Sequence, residues 1–310
     1  MSSPLVKIRI GGRGSQLSLA QLDLVAAALS DRAEVEIVSY RTTGDRLSRL
    51  DAAMTGKDLF TREIDEALLD GQIDVAVHSL KDVPSRLPEG LVLAAVPPRE
   101  DPSDVLVSRD GSPFARLTAG SSIGTSSPRR RAQVLSARPD LEVTDARGNV
   151  DTRVRRLREG RWDAIVLARA GLARLKRLAD VTEVLPASWM LPAIGQGALA
   201  VMTREGDDRI RGLVAEADHR DSHREALAER ALLELLEAGC RAPVAGLART
   251  SGGRMRLCAA VFAPDGSRSI HEEAAEDSES AVELGFEVAR RLLARGAGEL
   301  ITSSRTDAGA

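Results

Sequence analysis

The chain has 310 residues, 43% hydrophobic and 29% charged, a globular composition that excludes a disordered chain. Forty-three basic residues against 46 acidic ones leave a net charge of −3, and aromatics are only 2%. Both argue against a polyanion binder or a stacking platform for single-stranded nucleic acid, and two cysteines cannot build a disulfide framework or a four-thiolate zinc site.

The opening Met1-Ser2-Ser3-Pro4-Leu5-Val6-Lys7 lacks the apolar core of a signal peptide. No apolar run approaches the roughly 18 residues of a membrane span. The expectation is a soluble, cytoplasmic protein with reduced thiols and no metal. Of the basic residues 39 are arginines; Lys7, Lys57, Lys81 and Lys176 are the lysines. A lysine inside a motif therefore stands out for its compact ammonium, unless drift alone left so few.

Val6–Ile10 alternates as a strand, Gly11-Gly12-Arg13-Gly14 reads as a turn, and Ser15 can cap a helix through about Leu29. Val35–Val38 predicts a second strand, Glu63–Leu69 a helix and Ile73–Val77 a short buried strand. This rhythm predicts an α/β layer with a largely parallel sheet. A second α/β block follows. Its strands are Asp104–Val107, Leu141–Val143 and Ala164–Leu167. Its helices open at Ser127-Pro128, span Val150–Arg158, and run on to about Arg177. Leu191–Gly197 breaks the pattern, and Ala198–Met202 reads as a strand that could rejoin the first sheet. Ser222–Glu237 is an amphipathic helix, residues 244–274 give strands with a hairpin turn at Asp265-Gly266, and Ser280–Arg295 is a last helix. The expected domains are residues 1–98 with 198–218, then 103–192, then a small α+β domain over 220–301; residues 302–310 read as a disordered tail.

Chemistry concentrates at strand ends and helix starts. Ser79, Lys81 and Asp82 follow a buried strand, where open α/β sheets place ligands. A surface turn with a weak ion pair is the plain alternative. Gly124-Thr125-Ser126-Ser127-Pro128-Arg129-Arg130-Arg131 sets three hydroxyls and several arginines at a helix start. The helix dipole disfavours cations there unless an anion compensates. Arg147 and Arg153 flank another helix start, Arg13 and Ser15 a third, and Arg174 follows a further buried strand. Guanidinium forks match carboxylates, so the implied ligand is a multiply charged organic anion, although solvated surface arginine stays open for any one of them. No phosphate-binding G-x-x-x-x-G-K-[ST] occurs. Cys240, beside Arg241 in a loop, is either a reactive thiol or a buried one; Cys258 sits in an alternating strand and reads as inert. His219 and His223 lie four apart without H-E-x-x-H, which argues against zinc.

One ordered set of motifs spans about residues 5 to 300. It comprises Arg13-Gly14-Ser15, Lys57-Asp58-Leu59-Phe60, Ala76–Pro84, Arg99-Glu100-Asp101-Pro102, Gly124–Arg130, Arg147-Gly148-Asn149-Val150, Leu191–Gly197 and Gly239-Cys240. This set closely resembles the hydroxymethylbilane synthase, or porphobilinogen deaminase, family. The resemblance implies two α/β domains like those of periplasmic binding proteins, flanking a cleft, and a small α+β domain carrying the cysteine. It also implies a dipyrromethane cofactor held by a thioether to Cys240. Four porphobilinogen molecules would be joined head to tail with loss of ammonia, and water would release hydroxymethylbilane for tetrapyrrole biosynthesis. By resemblance Asp82 is catalytic. Lys81, Ser79, Thr125, Ser126, Ser127, Arg129 and Arg130, with Asp82, hold the cofactor. Arg13, Ser15, Phe60, Arg147, Arg153, Arg174 and Gln196 hold substrate or the growing chain. Implied partners are porphobilinogen and that chain, on a monomer, with product hand-over to the next enzyme and no nucleic acid or membrane. Asp58 departs from the family's usual glycine, in the loop near Phe60; Pro128 and Ala238 are further departures. The rivals are a non-enzymatic solute-binding protein of the same two-domain build, which needs no adduct on Cys240, and an arginine-rich nucleic-acid binder.

Overall fold

The structure, a computed structural model, describes residues 5–44, 59–238 and 242–306. The chain forms two compact units, residues 1–100 with 198–223 and residues 101–197 with 224–310. The first unit opens with β1 (Val6–Arg13), α1 (Gln16–Leu29), β2 (Ala33–Tyr40), α2 (Arg62–Leu69), β3 (Val75–Ser79) and β4 (Leu91–Ala95). The second supplies β5 (Asp104–Ser108), β6 (Ser122–Gly124), α3 (Pro128–Ala137), β7 (Glu142–Thr144), α4 (Val150–Arg158), β8 (Ala164–Ala168), α5 (Arg169–Arg174) and β9 (Glu183–Leu185). The chain then adds β10 (Leu199–Arg204) and α6 (Asp208–Val214) to the first unit. After α7 (Arg220–Leu235) come β11 (Val244–Ser251), β12 (Arg254–Phe262), β13 (Ser269–Asp277), α8 (Ala281–Ala294) and α9 (Ala297–Thr306). No described helix is long and apolar enough to cross a membrane.

The first sheet has the order β2-β1-β3-β10-β4. β1 runs parallel to β2 and β3, while β10 is antiparallel to both β3 and β4. The expected return of the chain after Ala198 thus places β10 inside the sheet. The second sheet, β7-β6-β8-β5-β9, follows the same plan: β7, β6 and β8 are parallel and β5 is antiparallel to its neighbours. Alternate residues of β5 and β8 face opposite sides. Leu106 and Val166 join Ile123 and Val134 on one; Val105, Val107, Ile165 and Leu167 join Val154 and Leu157 of α4 on the other. Each such side chain contributes about 1.5–3 kcal/mol by burial, so both faces must be covered by helices.

β11, β12 and β13 form an antiparallel sheet. One face packs on α7 and α8 through Leu232, Leu257, Leu284, Val288 and Leu292. The other places Ala245, Ala260 and Phe262 against Ala132 of α3 and Leu191. This second contact joins the three-stranded sheet to the β5–β9 sheet in one unit. The hairpin turn at Asp265-Gly266 forms as expected. Gly266 has φ +75°, and a Cβ there would stand 2.4 Å from the Ala132 carbonyl oxygen.

Three expectations change. Gly11, Gly12 and Arg13 do not turn; they continue β1, paired with Val38, Ser39 and Tyr40. Gly11 is needed for close packing, since a Cβ there would lie 2.3 Å from Ile73. The helix expected to reach Arg177 stops at Arg174, because Lys176 turns left-handed (φ 56°) while Arg177 N–H reaches back to the Leu172 carbonyl. The segment read as a tail from residue 302 is helical through Thr306.

Candidate active site

In the first unit the site residues gather beyond the carboxyl ends of parallel strands. Arg13 ends β1 and lies over the Phe60 ring, 4.2 Å from its centroid, a cation–π contact. Ser15 caps α1, its hydroxyl accepting from Ser18 N–H at 3.2 Å. Ser79 ends β3 and accepts a 2.9 Å hydrogen bond from the Gln21 amide. A 3-10 turn, Leu80–Asp82, follows: Leu80 is its buried anchor, its N–H bonded to the Ala198 carbonyl, and half-buried Lys81 and Asp82 stand beside it. Behind them His78 and Asp65, both buried, meet at 3.1 Å. A carboxylate accepts only, so the ring nitrogen facing it is the protonated one.

In the second unit Thr125 Oγ1 accepts from Ser127 N–H (3.2 Å), and Ser127 caps α3, with Pro128 at its first position. Ser126 is exposed. The capping expectation therefore holds, but the arginines behave otherwise than a solvated helix start suggests. Arg129 and Arg130 are only 3% and 6% exposed. Both turn to Asp104, the fully buried first residue of β5. Asp104 Oδ1 accepts from Arg130 Nε (3.0 Å) and Nη2 (2.7 Å) and from the Gln196 amide (2.9 Å). Its Oδ2 lies 2.8 Å from Arg129 Nη1. Gln196, 1% exposed, also donates to the Pro102 carbonyl, and the Gly195 N–H beside it donates to Glu229, a buried carboxylate of α7. Arg174 donates to the Gly197 carbonyl (2.6 Å), and Arg147 pairs with Asp145 (3.1 Å). Arg153 Nε donates to the Gly148 carbonyl (2.8 Å).

Burial alone would push the Asp104 carboxyl up, but the Arg129 and Arg130 charges outweigh it and hold it well below the usual carboxylate range. Burial lowers Arg129 despite Asp104. Arg153, desolvated and beside the Arg130 charge, is pushed down to about 10, with no acid offsetting the fall. Arg129 Nε has no hydrogen-bond partner among the described residues. Two guanidinium groups, those of Arg129 and Arg130, thus share one carboxylate, and Arg153 adds a third positive charge beside Arg130. Sequence reading missed Asp104, Gln21, Glu229 and the His78–Asp65 pair. The signal for Asp104 was a carboxylate opening the apolar run Asp104-Val105-Leu106-Val107.

Lys57, Asp58 and Cys240 lie outside the described residues. Cys258 is a half-buried residue of β12, and burial raises its thiol. Among the described residues no three His, Cys, Asp or Glu side chains gather as a metal site.

Comparison with known proteins gives concordant matches. A family model for the dipyrromethane cofactor binding domain of porphobilinogen deaminase matches residues 8–212, and one for the C-terminal domain of porphobilinogen deaminase matches residues 223–294. The porphobilinogen deaminase of Rubrobacter xylanophilus is 48% identical over 301 residues, covering 95% of this chain and 96% of that protein. That of Desulforudis audaxviator is 46% identical over 308 residues (97% and 99%), and that of Geobacter sulfurreducens 45% over 301 residues (96% and 94%). Among solved structures, the methionine-binding protein MetQ is similar at 14% identity and a TM-score of 0.43, covering 72% of this chain and 94% of that one.

Proposed function

The chain belongs to the porphobilinogen deaminase family, and on that footing we propose which of its residues carry the family's reaction. It is a hydroxymethylbilane synthase, a transferase that condenses four porphobilinogen molecules head to tail on a dipyrromethane primer, with loss of ammonia and hydrolytic release of the linear product. When bound, the dipyrromethane supplies the carbon nucleophile to which each unit is joined.

The donor set of the second unit fits such a group. Pyrrole rings of this kind carry acetate and propionate, and the excess of buried guanidinium over carboxylate around Asp104 is the observation that carries the reading. Buried positive charge without a counter-ion is costly, and guanidinium forks bind carboxylates bidentately. Of the second unit, Arg129, Arg130, Thr125, Ser126 and Ser127 are assigned to the cofactor, and Arg147, Arg153, Arg174 and Gln196 to substrate and the growing chain. Of the first, Lys81, Ser79 and Asp82 are assigned to the cofactor and Arg13, Ser15 and Phe60 to substrate. Cys240 is the attachment point.

Asp82 is the catalytic residue in this reading. Its carboxylate pairs with the substrate ammonium and faces the positive charge that develops as the C–N bond breaks and ammonia leaves. It then takes the proton released when the new C–C bond forms. A fixed carboxylate acts here by preorganised electrostatics and by proton transfer. The enzyme works as a cytoplasmic monomer that passes its product to the next enzyme of the route. The net charge of −3 speaks against nucleic acid or an anionic membrane as a partner.

Intact-protein mass spectrometry tests the reading. Chain purified from cells that make porphobilinogen is expected to carry a two-pyrrole increment, to gain further units when porphobilinogen is added, and to lose the increment in Cys240→Ala. A wild-type chain that is unmodified and inert toward porphobilinogen would sink it.

A further inference from the structure

We propose that Asp104 is the positioning residue of the arginine pair, a resident counter-ion that fixes Arg129 and Arg130 side by side before any ligand acid arrives. This rests on the reading above for what those arginines face, but its central test needs no cofactor. Three observations carry it. Asp104 is wholly buried, yet its two oxygens are divided between the guanidinium groups, Oδ1 hydrogen-bonded to Arg130 and Oδ2, without a hydrogen bond among the described residues, in a 2.8 Å ion-pair contact with Arg129. Its backbone is held on both sides, paired with Ala168 of β8 and Leu185 of β9, so the carboxylate stands on a rigid element. A neutral donor, Gln196, takes up remaining acceptor capacity on Oδ1.

The two arginines are then tied down from behind. Arg129 Nη1 donates to the Leu191 carbonyl (2.7 Å) and Arg130 Nη1 to the Val166 carbonyl (3.0 Å). With these bonds made, Arg129 Nε keeps an unused donor, and the cluster with Arg153 keeps an excess of positive charge. One carboxylate for two guanidiniums is a ratio that orders the pair without neutralising it. Two carboxylates would satisfy both cations and leave no attraction for a ligand acid. None would leave like charges adjacent in a desolvated site, where effective interactions exceed those in water.

The test uses Asp104→Asn, which keeps shape and removes charge. In a Cys240→Ala background, where no thiol is present to carry the cofactor, Asp104→Asn is expected to lower Tm by roughly 10 °C, the scale for breaking a buried pair by removing one partner. Adding Arg129→Gln to it is expected to leave Tm no lower, because the second change removes the repulsion that the first exposed. A side chain acting only by packing would give losses that add, so an additive cycle, or an unchanged Tm in Asp104→Asn, would overturn the proposal. If Asp104→Asn alone fails to fold, recovery of folded double variant by far-ultraviolet circular dichroism supports the proposal, and failure of both counts against it. In the chain with Cys240 intact, the fraction bearing the two-pyrrole increment is expected to fall at least tenfold in Asp104→Asn. Full loading of that variant would also refute positioning. An absent increment in the wild-type chain would instead overturn the functional reading, leaving the stability cycle to decide the role of Asp104.

Discussion

Replacing Arg153 by methionine is expected to stabilise the cofactor-free protein while weakening its hold on pyrrole acids. The side chain sits beside Arg130 with a single hydrogen bond among the described residues, to the Gly148 carbonyl, and burial depresses its guanidinium to about 10. A fall of that size corresponds to about 3 kcal/mol against the charged form, at about 1.4 kcal/mol per pH unit. The sign follows from linkage. A base whose folded-state value is depressed is disfavoured in the folded state at every pH below that value, and relief comes only as the pH rises through it. At neutral pH the whole penalty is therefore present. Methionine keeps most of the stem, removes the charge, and loses one hydrogen bond worth about 1 kcal/mol. The net gain is about 2 kcal/mol, or roughly 4–8 °C in Tm. Differential scanning fluorimetry of Arg153→Met in a Cys240→Ala background measures it. An unchanged or lower Tm would refute the argument that this arginine is held against its own electrostatic preference for the sake of a ligand.

Asp82→Asn is expected to leave the melting curve intact and to lower turnover by 10²-fold or more, the scale for losing a positioned acid–base group; near-normal kinetics would remove Asp82 from the chemistry. Gly266→Ala is expected to cost about 2 kcal/mol or more, since a left-handed conformation is strained for alanine and its Cβ would press on the Ala132 carbonyl and on Ser136 N–H of α3. Thermal melts compare it with Gly253→Ala, where no neighbour lies within 4 Å; equal losses at the two sites would show that strain alone, and not contact with α3, sets the cost.

Local chemistry was legible in the sequence wherever a signal was itself local. Ser127 before Pro128, Asn149 before Val150 and Ser15 before α1 each form the cap their residue types predict. Buried strands such as Ala164–Ala168 stand out as apolar runs. Short strands with little patterning, Ser122–Gly124 and Glu183–Leu185, escaped because their identity comes from pairing with β8 and β5. Gly11-Gly12-Arg13-Gly14 misled because glycine serves close packing as well as turns, and only the position of Ile73 decides between them. The candidate site divides in the same way. Asp82 and Lys81 are visible as a motif. That Arg129 and Arg130 turn inward depends on Asp104, some 25 residues earlier, and on Gln196, far later in the chain. Neither distance leaves a trace in local spacing.

The position of β10 between β3 and β4 sets an order on the making of the molecule. As the chain leaves the ribosome, β1 to β4 emerge first, yet their sheet has a vacant lane until Leu199–Arg204 is synthesised. The strands of the β5–β9 sheet, by contrast, lie in one uninterrupted stretch from Asp104 to Leu185. Loop closure over long separations is slow, whereas contiguous contacts form early. Vectorial synthesis therefore favours a nascent chain whose β5–β9 sheet has all its strands while the sheet of β1 to β4 still waits for its own, with β3 and β4 exposing bare edges that are open to unwanted pairing.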